Sequence, residues 1–166
     1  MFYFYYSKLF TFRKNIASLP TTKVYSKTGN IYLDSIINFK LSEAEQLGTK
    51  LQYRVEAASD QVIDPRDLTI ILGNLLDNAI TAVASVSNKT IYFLYRETKG
   101  RIIISISNSY DGTVIMKNQK IISRKKDTRI HGYGLKNIEK TVDKYNGTVK
   151  ILHDDNMFTV KLLLYV

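Results

Sequence analysis

Apolar residues along this chain fall into two rhythms, and the alternation between them sketches the elements. Phe2, Tyr5, Leu9, Phe12, Ile16 and Leu19 recur at helical spacing and are followed by "LPTTKVYSKTGN", which reads as a linker. Leu33, Ile36, Ile37, Leu41, Ala44 and Leu47 mark an amphipathic helix, with Asn30 to cap it and Gly48 to stop it. "LQYRVEA" then alternates Leu51, Tyr53, Val55 and Ala57 with polar residues, the period of a half-buried strand.

The strongest helical signal is "DPRDLTIILGNLLDNAITAV". Asp64 supplies a side-chain acceptor for the first turn, and Pro65 lies where a missing N–H is harmless. Leu68, Ile71, Leu72, Leu75, Leu76, Ala79, Ile80 and Val83 make one broad apolar face. "TIYFLYRETKGRIIISISN" reads as two strands joined at Lys99-Gly100. From Ser109 to His131 the periodicity stops. A further helix carries Leu135, Ile138, Val142 and Tyr145 on one face and ends at Asn146-Gly147, and two strands paired across "HDDN" close the sequence. Strands without alternating crossover helices predict one mixed sheet covered on one face by helices, an α+β, two-layer α/β sandwich.

Composition narrows the chemistry. With 166 residues, 45% of them hydrophobic, the chain can bury a single core. It has no cysteine, which excludes disulfide scaffolds, thiolate metal sites and cysteine catalysis, and fits a reducing, cytoplasmic compartment. No signal peptide is evident, and no apolar run reads as long enough to span a bilayer. The formal charge of +9 calls for an anionic partner. Much of that charge lies in the aperiodic segment, where Lys117, Lys120, Arg124, Lys125, Lys126 and Arg129 face only Asp111 and Asp127. Such a segment lacks a matching aromatic platform, so nucleic-acid binding is not expected.

Two features carry candidate chemistry. Gly132-Tyr133-Gly134 opens a helix, where glycines admit a close backbone approach and free N–H groups favour a phosphate. A plain loop-to-helix junction accounts for them equally well. Asn74 and Asn78 stand four residues apart, on one face away from the leucines. Asparagine is a mediocre helix former, and oxygen ligands for Mg²⁺ beside nucleotide phosphates would explain the pair; a solvated polar face is the plain alternative.

Taken in order, "NLLDNA", "ISNSYDG", the basic loop and "GYGL" resemble the N box, first glycine box, lid and second glycine box of the GHKL (Bergerat) ATP-binding fold. The resemblance covers about residues 28–166, leaving 1–27 as an N-terminal helical segment and linker. "TGNIYLDSIINFKL", "LLDNAI" and "HGYGLKNIEKTVDKYNG" look most like the peptide-pheromone-sensing, quorum-sensing branch of sensor histidine kinases. The resemblance implies ATP and Mg²⁺ as cofactors. It makes Asn78 the principal Mg²⁺ ligand, with Asn74 in support, and lets Gly132, Gly134 and Leu135 cradle phosphates. Asn108 stands where the family has an aspartate that reads the adenine amino group, Tyr110 where it has a glycine, and Gly112 at the last glycine of that box. Arg124, Lys125, Lys126, Arg129 and His131 become lid contacts to phosphate, and the lid is expected to order over bound ATP.

The resemblance also has gaps. Gyrase-type ATPases carry a glutamate as general base where this chain has Asn74, which cannot take a proton, so hydrolysis is not the expected reaction. A histidine kinase needs a phospho-acceptor histidine on a dimerising hairpin ahead of the ATP domain, whereas His131 and His153 both follow the N box. The implied function is therefore transfer of the ATP γ-phosphoryl in two-component signalling to a histidine on a partner domain or full-length kinase, and from there indirectly to a response regulator. A stand-alone anti-sigma-type kinase and a degenerate, non-catalytic GHKL module are the alternatives.

Overall fold

The computed structural model describes residues 23–57, 63–113, 115–117, 120–122 and 134–166. Three helices, α1 (Ile31–Gln46), α2 (Pro65–Ala84) and α3 (Gly134–Asp143), cover one face of a five-stranded sheet. Its strands are β1 (Lys50–Glu56), β2 (Thr90–Thr98), β3 (Arg101–Ser109), β6 (Thr148–His153) and β7 (Met157–Tyr165), in the order β1-β2-β3-β7-β6. Only β1 and β2 are parallel, so the sheet is mixed, as the element order predicts.

The helices form where the apolar stripes place them. All eight expected apolar residues of α2 are buried, and Asp64 caps the helix by accepting from the Arg66 N–H at 2.7 Å. On the sheet, register partners share a face: Phe93 lies opposite Ile106, Ile106 opposite Val160, and Val160 opposite Ile151. These residues meet Leu33, Ile37 and Leu41 of α1, the leucines of α2, and Ile138 and Val142 of α3 in a single core. Each fully buried Leu or Ile contributes about 1.5–3 kcal/mol.

Two expectations need correction. α2 is long and apolar enough, by length and composition, to cross a membrane, although no such run was expected. Half of its most apolar window is buried within the domain, because its stripe is the centre of the core. The segment after Ser109 also holds regular structure. β4 (Ile115–Lys117) and β5 (Lys120–Ile122) pair antiparallel as a small separate hairpin. Three-residue strands are too short to show the alternation by which strands are read.

Residues 23–29, expected as linker, are tied down along α1. The Tyr25 and Ser26 N–H groups both donate to Asn38 Oδ1, at 2.7 and 2.9 Å. Asp34 accepts from Ser26 Oγ (2.6 Å), Thr28 N (2.9 Å), Thr28 Oγ1 (2.9 Å) and Gly29 N (3.1 Å). Burial alone would raise the Asp34 carboxyl, yet these donors hold it below its ordinary value. Tyr25 is buried against the β1 edge with its ring 5.5 Å from Tyr53. That burial, and then its bond to Glu45, push the phenol up to about 12.

Candidate functional site

The two asparagines lie on the side of α2 that α3 approaches. Asn74 is half-buried, and its Nδ2 donates to the Ile70 carbonyl one turn back at 2.7 Å. That bond fixes the amide and leaves Oδ1 turned outward. Asn78 is exposed one turn further on. The first residue of α3 meets them both. A Cβ built on Gly134 would lie 3.1 Å from Asn74 Oδ1, 3.5 Å from Asn78 Nδ2 and 3.7 Å from Asn78 Oδ1. Gly134 does not have the positive φ that calls for glycine, so close approach, not a left-handed conformation, is the reason for glycine there.

This places three groups together: two neutral side-chain oxygens and the start of a helix whose first N–H groups have no intrahelical acceptor. Amide oxygens are hard donors suited to Mg²⁺, and a helix N-terminus favours phosphate. The residues present fit the nucleotide and metal that the resemblance implies. The adjacent carboxylate of Asp77 is neutralised by Lys40, at 2.6 Å, which also holds Glu43 at 2.9 Å. Burial would lower the Lys40 ammonium, but its bonds to Asp77 and Glu43 raise it overall. Leu135, next in α3, packs half-buried against the core and helps seat the helix.

The other end of α3 is clasped to the start of α2. Asp67, almost fully buried, accepts from Lys144 Nζ at 2.7 Å and from the Tyr145 hydroxyl at 3.0 Å. The same hydroxyl accepts from the Asp64 N–H at 3.2 Å. Burial, first of all, raises the Tyr145 phenol, with the Asp67 carboxylate adding to it. Sequence reading missed this clasp, since Asp67 reads only as an acidic residue in a first helical turn. Asn146, at φ 48°, and Gly147 then turn the chain into β6. A Cβ on Gly147 would fall 2.4 Å from the Leu163 carbonyl oxygen, so only glycine lets α3 press this close to the sheet.

Asn108 is 3% exposed near the end of β3, opposite Ile91 and Phe158. Its Nδ2 donates to the Ser109 carbonyl at 3.0 Å, which leaves Oδ1 as the acceptor. Tyr110 turns onto the β6–β7 turn. Its N–H donates to the Asn156 carbonyl at 3.1 Å, its hydroxyl donates to the Asp154 carbonyl, and its ring packs edge-on against Phe158. Gly112 has φ 74°, and its nearest neighbour is the Asp155 carbonyl, so turn geometry already requires glycine there. Gly132, Tyr133 and the expected lid contacts Arg124, Lys125, Lys126, Arg129 and His131 lie outside the described residues.

Residues 63–165 match the family model described as "GHKL domain". The chain is 27% identical over 146 residues to a probable C4-dicarboxylate sensor kinase of Halalkalibacterium halodurans, covering 82% of this chain and 27% of that protein. It is 31% identical over 98 residues to Sensor protein CitS of Bacillus subtilis, covering 56% of this chain and 18% of that protein. The chain thus spans about a quarter or less of these curated relatives. Among solved structures it is similar to the nucleotide-free catalytic domain of histidine kinase ThkA (TM-score 0.64, 18% identity, 83% of this chain and 94% of that one). It is similar also to the mycobacterial sensor histidine kinase MprB (TM-score 0.58, 14% identity, 79% and 93%). The fold is the one these kinase catalytic domains share.

Proposed function

Because the chain belongs to the GHKL domain family, we propose that it is the ATP-binding catalytic domain of a sensor histidine kinase, working in the cytoplasm with Mg²⁺. One observation carries the reading: Gly134 brings the start of α3 against Asn74 and Asn78, with Asn74 Oδ1 only 3.1 Å from where a Cβ would stand. Asn78, with Asn74 beside it, holds the metal, and the first N–H groups of α3 hold phosphate oxygens. Bound Mg²⁺ supplies charge neutralisation for the transferring phosphoryl group. Asn74 orients and cannot deprotonate water, which favours transfer over hydrolysis. Asn108, tied to Ser109 through its Nδ2, offers Oδ1 to the adenine amino group.

The acceptor histidine comes from a partner domain or chain, because His131 and His153 both lie downstream of the N box. The signal belongs to the rest of the kinase. "TGNIYLDSIINFKL" and the second glycine box favour a peptide pheromone. A dicarboxylate, as in the name of the Halalkalibacterium relative, is the competing signal.

Calorimetric titration with Mg²⁺ and a non-hydrolysable ATP analogue tests the proposal. Asn78→Ala should weaken binding about tenfold or more and leave the unfolding midpoint nearly unchanged, because the side chain is exposed. Equal affinity for wild type and variant would remove the metal-ligand role.

A further inference from the structure

The face of the sheet turned away from the helices is a cationic surface with almost no acid on it. Strand alternation and register assign Lys50, Arg54, Arg96, Arg101, Lys150 and Lys161 to this face, against the single carboxylate of Glu56. Glu56 is engaged by both Arg54 and Arg96. The exposed lysines Lys150 and Lys161 are cross-strand partners directly opposite one another. Like charges in that position destabilise a sheet. Among the described residues neither has a carboxylate within ion-pair distance. One row, Arg54, Leu94, Ser105, Lys161 and Lys150, crosses all five strands.

We propose that this open sheet face is a docking surface for a folded protein partner that presents a carboxylate-rich patch. The proposal rests on the sheet alone and is independent of the nucleotide reading. Charge complementarity is the first argument: an opposing carboxylate between Lys150 and Lys161 turns a repulsion into two attractions. Size is the second. Five strands of up to nine residues span roughly 24 Å by 30 Å, about 700 Å², close to the roughly 800 Å² that each partner gives to a specific interface. Composition is the third. Half-buried Leu94, Ile103 and Leu163 form an apolar centre, and Tyr92 and Tyr165, 42% and 46% exposed, stand with arginines around it. Tyrosine and arginine are the residues enriched at protein interfaces.

Two other anionic surfaces fit less well. Side chains in the middle of a sheet do not penetrate headgroups as an amphipathic helix does. Tyr92 and Tyr165 occupy register rows about 20 Å apart, taking Thr159 to Tyr165 as six strand residues, so they do not stack successive bases.

Isotope-labelled protein titrated with poly-L-glutamate, followed by amide chemical shifts and calorimetry, tests the proposal. Shifts should concentrate on Leu94, Ser105, Lys150 and Lys161. Lys150→Glu/Lys161→Glu should bind about tenfold more weakly. Lys27→Glu/Lys136→Glu, with the same change in net charge away from the sheet, should stay within about twofold of wild type. If the sheet reversal lowers the unfolding midpoint, Lys150→Gln/Lys161→Gln replaces it, with a weakening still expected. Equal weakening by both reversals would overturn the proposal, because net charge alone would then explain binding. Shifts confined to residues 117–129 would overturn it too. So would tighter binding through this face to phosphatidylserine vesicles or a single-stranded oligonucleotide than to poly-L-glutamate.

Discussion

Replacing Gly134 by alanine separates the needs of the fold from the needs of the site. On helix propensity alone the change is favourable, by at most about 1 kcal/mol at a first-turn position. Against that gain, the new methyl would stand 3.1 Å from Asn74 Oδ1, closer than a carbon and an oxygen tolerate without adjustment. Relief comes if Asn74 rotates, which breaks its 2.7 Å bond to the Ile70 carbonyl at a cost of about 0.5–1.5 kcal/mol. The two effects nearly cancel. The thermal midpoint should therefore move by no more than roughly 2–4 °C in either direction. Nucleotide binding has no such compensation, since the methyl fills the space between the asparagines and turns an oxygen ligand away. Loss of one such contact, about 1.4 kcal/mol, is a tenfold weakening. Scanning calorimetry and titration with Mg²⁺ and a non-hydrolysable ATP analogue read the two quantities separately. An unchanged midpoint with unchanged affinity would refute the argument that this junction holds the nucleotide.

Gly147→Ala should behave in the opposite way: its Cβ would meet the Leu163 carbonyl at 2.4 Å and Val142 Cγ1 at 2.6 Å, so urea unfolding should show a loss of about 3 kcal/mol. Asn108→Asp brings a carboxylate oxygen against the Ser109 carbonyl in place of a donor, so it should cost about 1–3 kcal/mol of stability and leave adenine affinity no tighter. An ADP titration that showed tightening would overturn this. For Asp34 the folded carboxyl titrates below its ordinary value, so its stabilisation is complete above about pH 5, begins to fall as pH approaches the unfolded carboxyl's value, and disappears as pH falls through the folded value. The stability gap between wild type and Asp34→Asn should therefore be constant from neutral pH to about pH 5 and shrink below it; a gap that persists in acid would show that charge is not the cause.

The three described helices and the five-stranded sheet were legible because each rests on a repeated signal, whereas the helical spacing of Phe2 to Leu19 falls outside the described residues. Asp64-Pro65 and the leucine stripe define α2, and Lys99-Gly100, with φ 74° at the glycine, marks the β2–β3 hairpin. Asn74, Asn78 and Gly134 were legible as a group only through the order of their motifs, since they are about sixty residues apart and meet by packing of α3 on α2. The strap over α1 was not legible. Residues 23–29 look like linker because polar side chains hold them, and the partners Asn38, Asp34 and Glu45 are spread along a helix with no pattern to announce them. The Asp67 clasp was hidden for the same reason, its bonds reaching 77 and 78 positions along the chain. The cationic sheet face needed the strand order, because Lys150, Lys161 and Arg54 become neighbours of one row only once β7 is inserted between β3 and β6.

The clasp makes α3 a lever with its fulcrum at Lys144, Tyr145 and Gly147. Ten residues make it roughly 15 Å long. A tilt of about 4° about the fixed end carries Gly134 by about 1 Å, enough to alter how closely it approaches the asparagines. Small rotations at this pivot would change the aperture between Gly134 and the asparagines, while the pivot itself is held by Asp67, at the opposite end of α3 from them.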